Sequence, residues 1–227
     1  MNDSVFVVGH GNGTWRNKGV FPSSSLFKLP HSASSPAAQL SSGLLAYGIL
    51  TKFSKVEKGD IVLISKKTSA TTSAITSIAK HLGAKVLAVS GDDLSTHEKL
   101  AAVKAQGKIT IAAVYNDAKL IRSFYKVVGA NGSLVVYNDA IEKFEDIDGV
   151  HLSVAHSIFD NVTVSGLSLA AWSQSDPTEF QAAVDAVSKL LEAKVLPALP
   201  PSQVYPHAKF AAAVTDVLQG KPAVITF

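Results

Sequence analysis

The feature that most constrains the fold is the stretch of residues 59–90, whose pattern is that of a βαβ unit. Residues 61–64 form a continuous apolar run, residues 74–82 have helical spacing, and residues 85–89 form a second apolar run. A continuous apolar run that leads directly into a helix is typical of a buried parallel strand followed by its crossover helix. The stretch therefore predicts an α/β fold built on a parallel sheet.

The same alternation of strand and helix patterns continues to residue 137 and predicts a Rossmann-like, doubly wound parallel sheet. We expect strand 61–65 to be central, with strand 85–90 on one side and strands 109–115 and 132–137 on the other. The other predicted elements are an incomplete β-meander from both ends of the chain (4–9, 26–30 and 222–227), a strand at 161–169, and helices at 37–53, from within 92–96 to about 105, 118–128, 177–191 and 207–219.

The composition limits the classes of function. Of 227 residues, 47% are hydrophobic and 17% are charged, which is typical of a globular protein and too apolar for a disordered one. No apolar run reaches the roughly 18 residues of a membrane span, and the lack of cysteine excludes disulfides and thiol catalysis. The net charge of +3 is mild and the longest basic run is Lys66-Lys67, so a nucleic-acid partner is possible but not indicated.

The loop between the first strand and the helix of the βαβ unit lacks the signature of a cofactor site. In dinucleotide-binding domains this loop holds glycines, which let the backbone approach the pyrophosphate at the helix N-terminus. Here residues 65–73 have the sequence SKKTSATTS, without a glycine. The chain therefore has the strand–helix–strand pattern of a cofactor-binding domain but lacks the glycines that identify the cofactor loop.

No other catalytic pattern replaces this fingerprint. The seven histidines show no metal-ligand spacing, and no G-x-S-x-G motif occurs. We interpret His151 and His156 as a surface pair rather than a site. We interpret Asp92 and Asp93 as helix N-cap residues rather than a general acid–base pair. We therefore predict no catalytic residue and no metal ligand.

Several segments, taken in order, resemble the mitochondrial 2-enoyl thioester reductases, a branch of the medium-chain dehydrogenase/reductase superfamily. They are GTWR at 13–16 with the following VFPSSSLFKLP, SPAAQLSSGLLAYGIL, the βαβ unit, GSLVVY at 132–137, SIF at 157–159 and GLSLAAW at 166–172. The resemblance spans essentially the whole chain. It implies a Rossmann domain that binds NADPH, a GroES-like catalytic β-barrel domain, and reduction of the double bond of an acyl thioester.

The resemblance also implies how the chain is divided. The expected parts are a remnant of the barrel domain (1–36), the Rossmann-like domain with its linker helix (37–172), and C-terminal helices with a closing strand that pack on the remnant (173–227). The family tyrosine proposed to donate a proton has no counterpart, which implies an N-terminally truncated chain. Tyr47 matches a different tyrosine and is interpreted as a packed helix residue. Trp15 and Trp172 would be a remnant of the substrate pocket.

Several positions depart from the pattern of the relatives. Ala70 and Thr72 stand where many relatives have glycine. Residues 90–93, SGDD, replace the basic residue that relatives place beside the NADPH 2′-phosphate, and two carboxylates there would repel that phosphate. Asn-Asp pairs at 116–117 and 138–139 replace the Gly-Gly pairs that close over nicotinamide. We therefore expect no cofactor on the remnant loop, whose candidate residues are Lys67, Thr68, Ser69, Thr71 and Thr72.

Two functional hypotheses follow. In the first, the chain is a catalytically degenerate reductase kept as a structural or assembly subunit of a larger complex in the mitochondrial matrix. In the second, it is an NADPH-dependent reductase of trans-2-enoyl thioesters of CoA or acyl carrier protein, in mitochondrial fatty acid synthesis. The expected partners are protein subunits of that assembly, or a second copy paired through edge strand 161–169, which no lysine or proline protects. Without a barrel domain, Leu40, Leu44, Tyr47 and Leu50 would form an exposed apolar face.

Overall fold

The computed structural model describes residues 3–9, 18–30, 37–66, 69–115, 117–137, 150–197, 203–218 and 223–226. Within them the strands are β1 (Val5–Val7), β2 (Leu26–Lys28), β3 (Ile61–Ser65), β4 (Lys85–Val89), β5 (Ile109–Tyr115), β6 (Val128–Tyr137), β7 (Thr163–Leu167), β8 (Gln203–Pro206) and β9 (Ala223–Thr226). The helices are α1 (Ala37–Tyr47, continued by a wider turn over Gly48–Lys52), α2 (Ala70–His81), α3 (His97–Lys104), α4 (Ala118–Val127), α5 (Val154–Phe159), α6 (Leu169–Ser175), α7 (Pro177–Glu192) and α8 (Phe210–Leu218).

The main sheet confirms the predicted fold class. In the described part of the chain five strands, all parallel, lie in the order β4-β3-β5-β6-β7. β3 has β4 on one side and β5 and then β6 on the other, as its apolar run predicted. All of β3 is buried, because helices cover both faces of the sheet at this strand.

Two hydrophobic cores lie on the two faces of this sheet. The first joins the sheet to α1, α2, α6 and α7, and its most deeply buried large residues are Leu44, Ile49, Leu50, Ile75, Ile78 and Phe180. The second joins the sheet to α3 and α4, around Leu63, Ile109, Val114, Phe124 and Leu134. The crossover helices therefore lie on both faces, since α2 packs on the first face and α3 and α4 on the second.

The expectation of an exposed apolar face on residues 37–50 is wrong. Leu40, Leu44 and Leu50 are buried, and Tyr47 is half-buried. The reason is that α1 packs against α2 and α7. At Gly43 the approach is so close that an added Cβ would lie 2.6 Å from a Val187 methyl group. The face is therefore part of the core of the chain.

Two small sheets flank the main one. β1 and β2 pair antiparallel, and β8 and β9 pair parallel in a separate sheet. The β1–β2 hairpin is held to α7: Phe27 meets Phe180 edge-on at 4.6 Å between ring centroids, and the Gln181 side chain exchanges two hydrogen bonds with the Lys28 backbone. The described closing strand thus pairs with β8 rather than with the N-terminal hairpin. The division at residues 36 and 172 stays a prediction.

Several element boundaries differ from the predictions, and three of these differences lie close to the candidate site or the core. α2 begins at Ala70, four residues earlier than predicted, because Ser69 caps it. β6 begins at Val128, which pairs with Ile109 before an irregular step in the register. The strand predicted at 161–169 is shorter, because β7 ends at Leu167 and α6 begins at Leu169. In the described residues no helix is both long and apolar enough to span a bilayer.

Candidate functional site

The candidate site lies at the carboxyl edge of the main sheet, where the order of the strands reverses. From β3 the chain moves outward to β4 through α2, and it then returns across β3 to β5 through α3. In open α/β sheets ligands bind at the carboxyl ends of the strands at such a reversal, because the two connections leave a crevice between them. The crevice here lies between the ends of β3 and β5.

The start of α2 closes on itself through a capping box. Ser69 Oγ accepts a hydrogen bond from the Thr72 N–H (3.1 Å), and Thr72 Oγ1 accepts one from the Ser69 N–H (2.8 Å). Thr71 and Thr72 are buried in the first turn. Of the five candidate residues of the remnant loop, Ser69, Thr71 and Thr72 therefore support the helix, while Lys67 and Thr68 lie outside the described residues. Whether the loop binds a cofactor stays a prediction.

An ion pair joins the carboxyl ends of β3 and β4. Lys66, directly after β3, places its Nζ 2.8 Å from Asp93 Oδ2. The same oxygen accepts hydrogen bonds from the N–H and the hydroxyl of Ser90, each at 2.8 Å. Hydrogen bonds from Lys66 and Ser90 hold the pKa of the Asp93 carboxyl well below its usual range. Asp93 is therefore an ionised carboxylate fixed at the end of β4, and it does not cap α3, whose N-cap is Thr96.

A groove opens beside this pair, between α3 and α4. One part, of about 720 Å³, is lined by residues that follow β4 and β5: Gly91, Asp92, Leu94, Ser95, Thr96, His97, Leu100, Asp117, Lys119, Leu120, Ser123 and Lys126. A second part, of about 570 Å³, shares His97, Leu100 and Lys126 with the first. Asp117 is the N-cap of α4, since its carboxylate accepts from the N–H groups of Lys119 and Leu120. The first part has the volume of a small-molecule site, roughly 300–1,000 Å³.

Histidine 156, at the second part of the groove, has a partner other than the one predicted. Its Nδ1 lies 2.5 Å from Asp160 Oδ2, and its ring meets Tyr125 edge-on at 4.9 Å. The Tyr125 hydroxyl in turn contacts Ser157 Oγ and the Ser153 carbonyl, each at 2.7 Å. His156 is thus paired within its own helix turn, not with His151, and it fixes α5 to α4.

Trp172 lies in the core between α1 and α7. It is 3% exposed, its Nε1 donates to Glu179 Oε2 (3.3 Å), and its ring meets Phe180 at 5.1 Å. Lys52 pairs with Glu179 and lies 5.5 Å from the centre of the Trp172 ring. Trp15 lies outside the described residues. A role of either tryptophan in a substrate pocket stays a prediction.

Neither the Lys66–Asp93 pair nor the start of α2 was predicted from the sequence. The signal for the second was present, because Ser69 and Thr72 have the spacing of a capping box with threonine in place of the usual Glu or Gln. No sequence signal existed for the first, since its partners are separated by a helix and a strand. Tyr115 and Tyr137, which end β5 and β6 and meet edge-on at 6.0 Å, were likewise not singled out.

The sequence of this chain is similar to that of a known enoyl reductase. No protein-family model matches the sequence. The chain is 24% identical over 210 residues to the mitochondrial enoyl-[acyl-carrier-protein] reductase of Dictyostelium discoideum, a match that covers 80% of this chain. It spans 58% of the length of that relative.

Solved structures show the same similarity at the level of the fold. The mitochondrial 2-enoyl thioester reductase Etr1p/Etr2p heterodimer of Candida tropicalis matches with a TM-score of 0.70 and 17% identity, over 89% of this chain and 67% of the other. The complex of Etr1p with NADP and crotonyl-CoA matches with a TM-score of 0.69 and 18% identity, over 89% and 67%. A quinone oxidoreductase of Pseudomonas syringae matches with a TM-score of 0.66 and 20% identity, over 91% and 69%. The resemblance is therefore confirmed: the chain is similar in sequence to a mitochondrial enoyl-[acyl-carrier-protein] reductase and has the fold of the mitochondrial 2-enoyl thioester reductases.

Proposed function

We propose that this chain supplies the nucleotide-binding domain of a 2-enoyl thioester reductase, which reduces the double bond of an enoyl-CoA or enoyl-ACP with a reduced nicotinamide dinucleotide. The observation that carries the proposal is the reversal of strand order between β3 and β5, with the N-terminus of α2 opening at the same edge. That arrangement is the dinucleotide site of doubly wound folds. It occurs here in a homologue of an enoyl-[acyl-carrier-protein] reductase.

The residues at this edge can hold most of a dinucleotide. The positive end of α2 and the ammonium group of Lys66 favour a pyrophosphate. The groove between Gly91 and Asp117 can hold the adenine, and the Asp93 carboxylate can accept hydrogen bonds from a ribose. The bound dinucleotide would supply the hydride for the reaction. The NADP in the Etr1p complex supports NADPH, the cofactor of the second hypothesis, over no cofactor.

Calorimetric titration of the purified full-length chain with NADPH and NADH tests the proposal. We expect micromolar binding of at least one of them. Leu120→Trp places a large side chain in the groove beside Gly91 and should weaken this binding at least tenfold. Leu82→Trp adds the same ring at the far end of α2, on a residue that is 38% exposed, and should have no effect. Absence of binding of both dinucleotides would contradict the proposal.

Turnover is tested separately, by the fall in absorbance of the reduced dinucleotide with crotonyl-CoA as acceptor. Crotonyl-CoA is the acyl thioester present in the Etr1p complex. Binding together with turnover would support the reductase. Binding of the dinucleotide without turnover would support only the nucleotide-binding part of the proposal and favour the structural role described next.

A structural role in a complex is the second candidate, and the surface around β7 favours it. In the described part of the chain β7 pairs only with β6, and Val164 on this strand is 42% exposed. The helix that precedes β7 in the chain, α5, exposes three large apolar side chains, Val154, Ile158 and Phe159, which are 69%, 67% and 84% exposed. An unpaired strand edge next to an apolar patch is a typical protein-binding surface. The heterodimer of Etr1p and Etr2p makes protein partners plausible for a chain of this fold.

We propose that β7 pairs with the same strand of a second copy or with another subunit. Light scattering of the isolated chain should give a dimer, or a mass that rises with concentration. Val164→Lys puts a charge on the strand edge and should yield a monomer, because lysine on an edge strand opposes pairing. Val20→Lys is a matched control on a residue that is 97% exposed and far from β7 in sequence. A wild-type chain that stays monomeric and binds no dye for apolar surface would contradict this proposal.

The names of the relatives support a mitochondrial location for this chain. Both the Dictyostelium discoideum reductase and the Candida tropicalis heterodimer are described as mitochondrial. A location in the matrix, and a place in fatty acid synthesis, stay proposals. Fractionation of mitochondria with an antibody against the chain would test the first of them.

A further inference from the structure

We propose that the Lys66–Asp93 pair selects an adenosine ribose without a 2′-phosphate, so that this chain binds NADH in preference to NADPH. The inference rests on the proposed nucleotide-binding function and concerns which of two closely related cofactors that site accepts. Three features support it: the position of Asp93 in the fold, the unequal use of its two carboxylate oxygens, and the contacts of the described lysines nearby.

The position of Asp93 is that of a ribose-binding acid. In doubly wound dinucleotide domains an acidic residue about 20 residues after the phosphate loop, at the end of the second strand, accepts hydrogen bonds from the ribose hydroxyls of NAD. Asp93 follows the loop at residues 65–69 by a comparable distance. The two hydrogen bonds from Ser90 hold its carboxylate at the end of β4, the strand next to β3.

The two carboxylate oxygens of Asp93 are used unequally. Oδ2 takes all three donors: Lys66 Nζ, the Ser90 N–H and the Ser90 hydroxyl. Among the described residues no donor reaches Oδ1, and the side chain is 38% exposed. An ionised oxygen of a partly exposed side chain, without a donor among the described residues, can accept from the 2′- and 3′-hydroxyl groups of a ribose. A 2′-phosphate offers acceptor oxygens in place of the 2′-hydroxyl donor and brings negative charge to a carboxylate.

Lys66 and Lys99, the described lysines near Asp93, do not offset this mismatch. Lys66 already forms the ion pair with Asp93. If a 2′-phosphate bound Lys66 instead, the Asp93 carboxylate would lose its cation and would face the doubly charged phosphate. Lys99 donates from Nζ to the Asp92 carbonyl (2.8 Å) and to Ser95 Oγ (3.3 Å). Coulomb repulsion between the carboxylate and a phosphate at short range is enough for a preference of about tenfold or more, even with solvent screening.

The test is calorimetry and thermal melting of the full-length chain with NADH and with NADPH. We expect the dissociation constant for NADH to be at least about tenfold lower than that for NADPH. Asp93→Asn removes the charge and keeps the shape of the side chain, and it should reduce the ratio of the two constants to about threefold or less. Glu98→Gln removes an exposed carboxylate in the first turn of α3, outside the residues that line the groove, and should leave the ratio unchanged. Melting of each variant without ligand shows that it is folded.

The outcomes separate this inference from the proposed function. Tighter binding of NADPH by the wild type would overturn the inference and leave the proposed function standing. Equal changes of the ratio in Glu98→Gln and Asp93→Asn would also overturn it, because the general charge of the region and not the position of Asp93 would then set the preference. Absence of binding of both dinucleotides would refute the proposed function and the inference with it. A tenfold preference for NADH that is lost only in Asp93→Asn would establish the inference.

Discussion

Replacing Phe180 by alanine should remove a large part of the stability of this chain. Phe180 is fully buried on α7, and its ring meets Phe27 of β2 at 4.6 Å and Trp172 of α6 at 5.1 Å. Truncation of a buried phenylalanine costs about 3–5 kcal/mol, and each edge-to-face pair adds about 0.5–1.5 kcal/mol to what the burial of area provides. Since two such pairs are lost together, we expect a decrease of about 4–5 kcal/mol in the free energy of unfolding, out of a total of about 5–15 kcal/mol for a typical domain.

Urea unfolding followed by the fluorescence of the buried Trp172 measures this decrease. For a chain of this size each kcal/mol corresponds to about 2–4 °C in melting temperature, so thermal melting should show a fall of about 10–15 °C. Phe210→Ala is the matched control: its side chain is 42% exposed, and we expect a loss of about 1 kcal/mol or less. A loss below about 1.5 kcal/mol for Phe180→Ala would refute the packing argument, because α7 would then not be held tightly between the N-terminal hairpin and α6.

Three further predictions test the local structure. Ser69→Ala removes the N-cap of α2 and should lower the free energy of unfolding by about 1 kcal/mol, measured by chemical denaturation. Gly132→Ala would place a methyl group 2.8 Å from the Gly129 carbonyl oxygen and should cost about 1–3 kcal/mol in the same assay. The hydrogen bond to the Asp216 carboxylate raises the pKa of Tyr205, so its contribution to stability is fully present below the ordinary tyrosine pKa of about 10 and is lost as pH rises through the higher folded-state value. Tyr205→Phe should therefore weaken the fall of the unfolding free energy above about pH 10, measured by urea unfolding at several pH values.

The sequence predicts the main sheet because its strands are specified locally. β3 and the strands beside it are continuous apolar runs separated by helical patterns, and a parallel sheet covered on both faces is the structure that buries such runs. The start of α2 is less well predicted, because it depends on two side chains, Ser69 and Thr72, that cap the helix through hydrogen bonds to its backbone. Periodicity detects the apolar face of a helix but not the donors and acceptors at its end.

Burial of the residues on α1 could not be predicted from their spacing. The pattern at Leu40, Leu44 and Leu50 identifies an apolar face, but it does not show what covers that face. The covering elements are α2 and α7, and α7 follows α1 by more than half of the chain. The expectation of exposure assumed that the barrel domain of the relatives is the partner of this face. The structure shows that the chain itself provides the partner.

The ion pair of Lys66 with Asp93 at the candidate site could not be predicted from the sequence, for a related reason. Lys66 and Asp93 belong to different strand ends, and only the parallel pairing of β3 with β4 brings them to 2.8 Å. The resemblance placed Asp93 near the ribose of the cofactor, and its carboxylate was expected to repel the 2′-phosphate of NADPH. The hydrogen bonds from Ser90 are what the sequence could not show: they fix Oδ2, while no donor among the described residues reaches Oδ1.

The lack of glycine in the loop at residues 65–73 is an argument against a reductase and for a structural subunit. The structure makes this argument weaker. The capping box at Ser69 and Thr72 occupies backbone donors at the start of α2, which a pyrophosphate would otherwise use. A helix cap of this kind is worth about 1 kcal/mol, whereas binding of a dinucleotide at micromolar affinity releases about 8 kcal/mol. A ligand with the charge of a pyrophosphate can therefore displace the cap at a small fraction of its binding free energy. The loss of glycine alone consequently does not abolish a dinucleotide site at this edge, and measured binding, rather than the loop sequence, has to separate a reductase from a structural subunit.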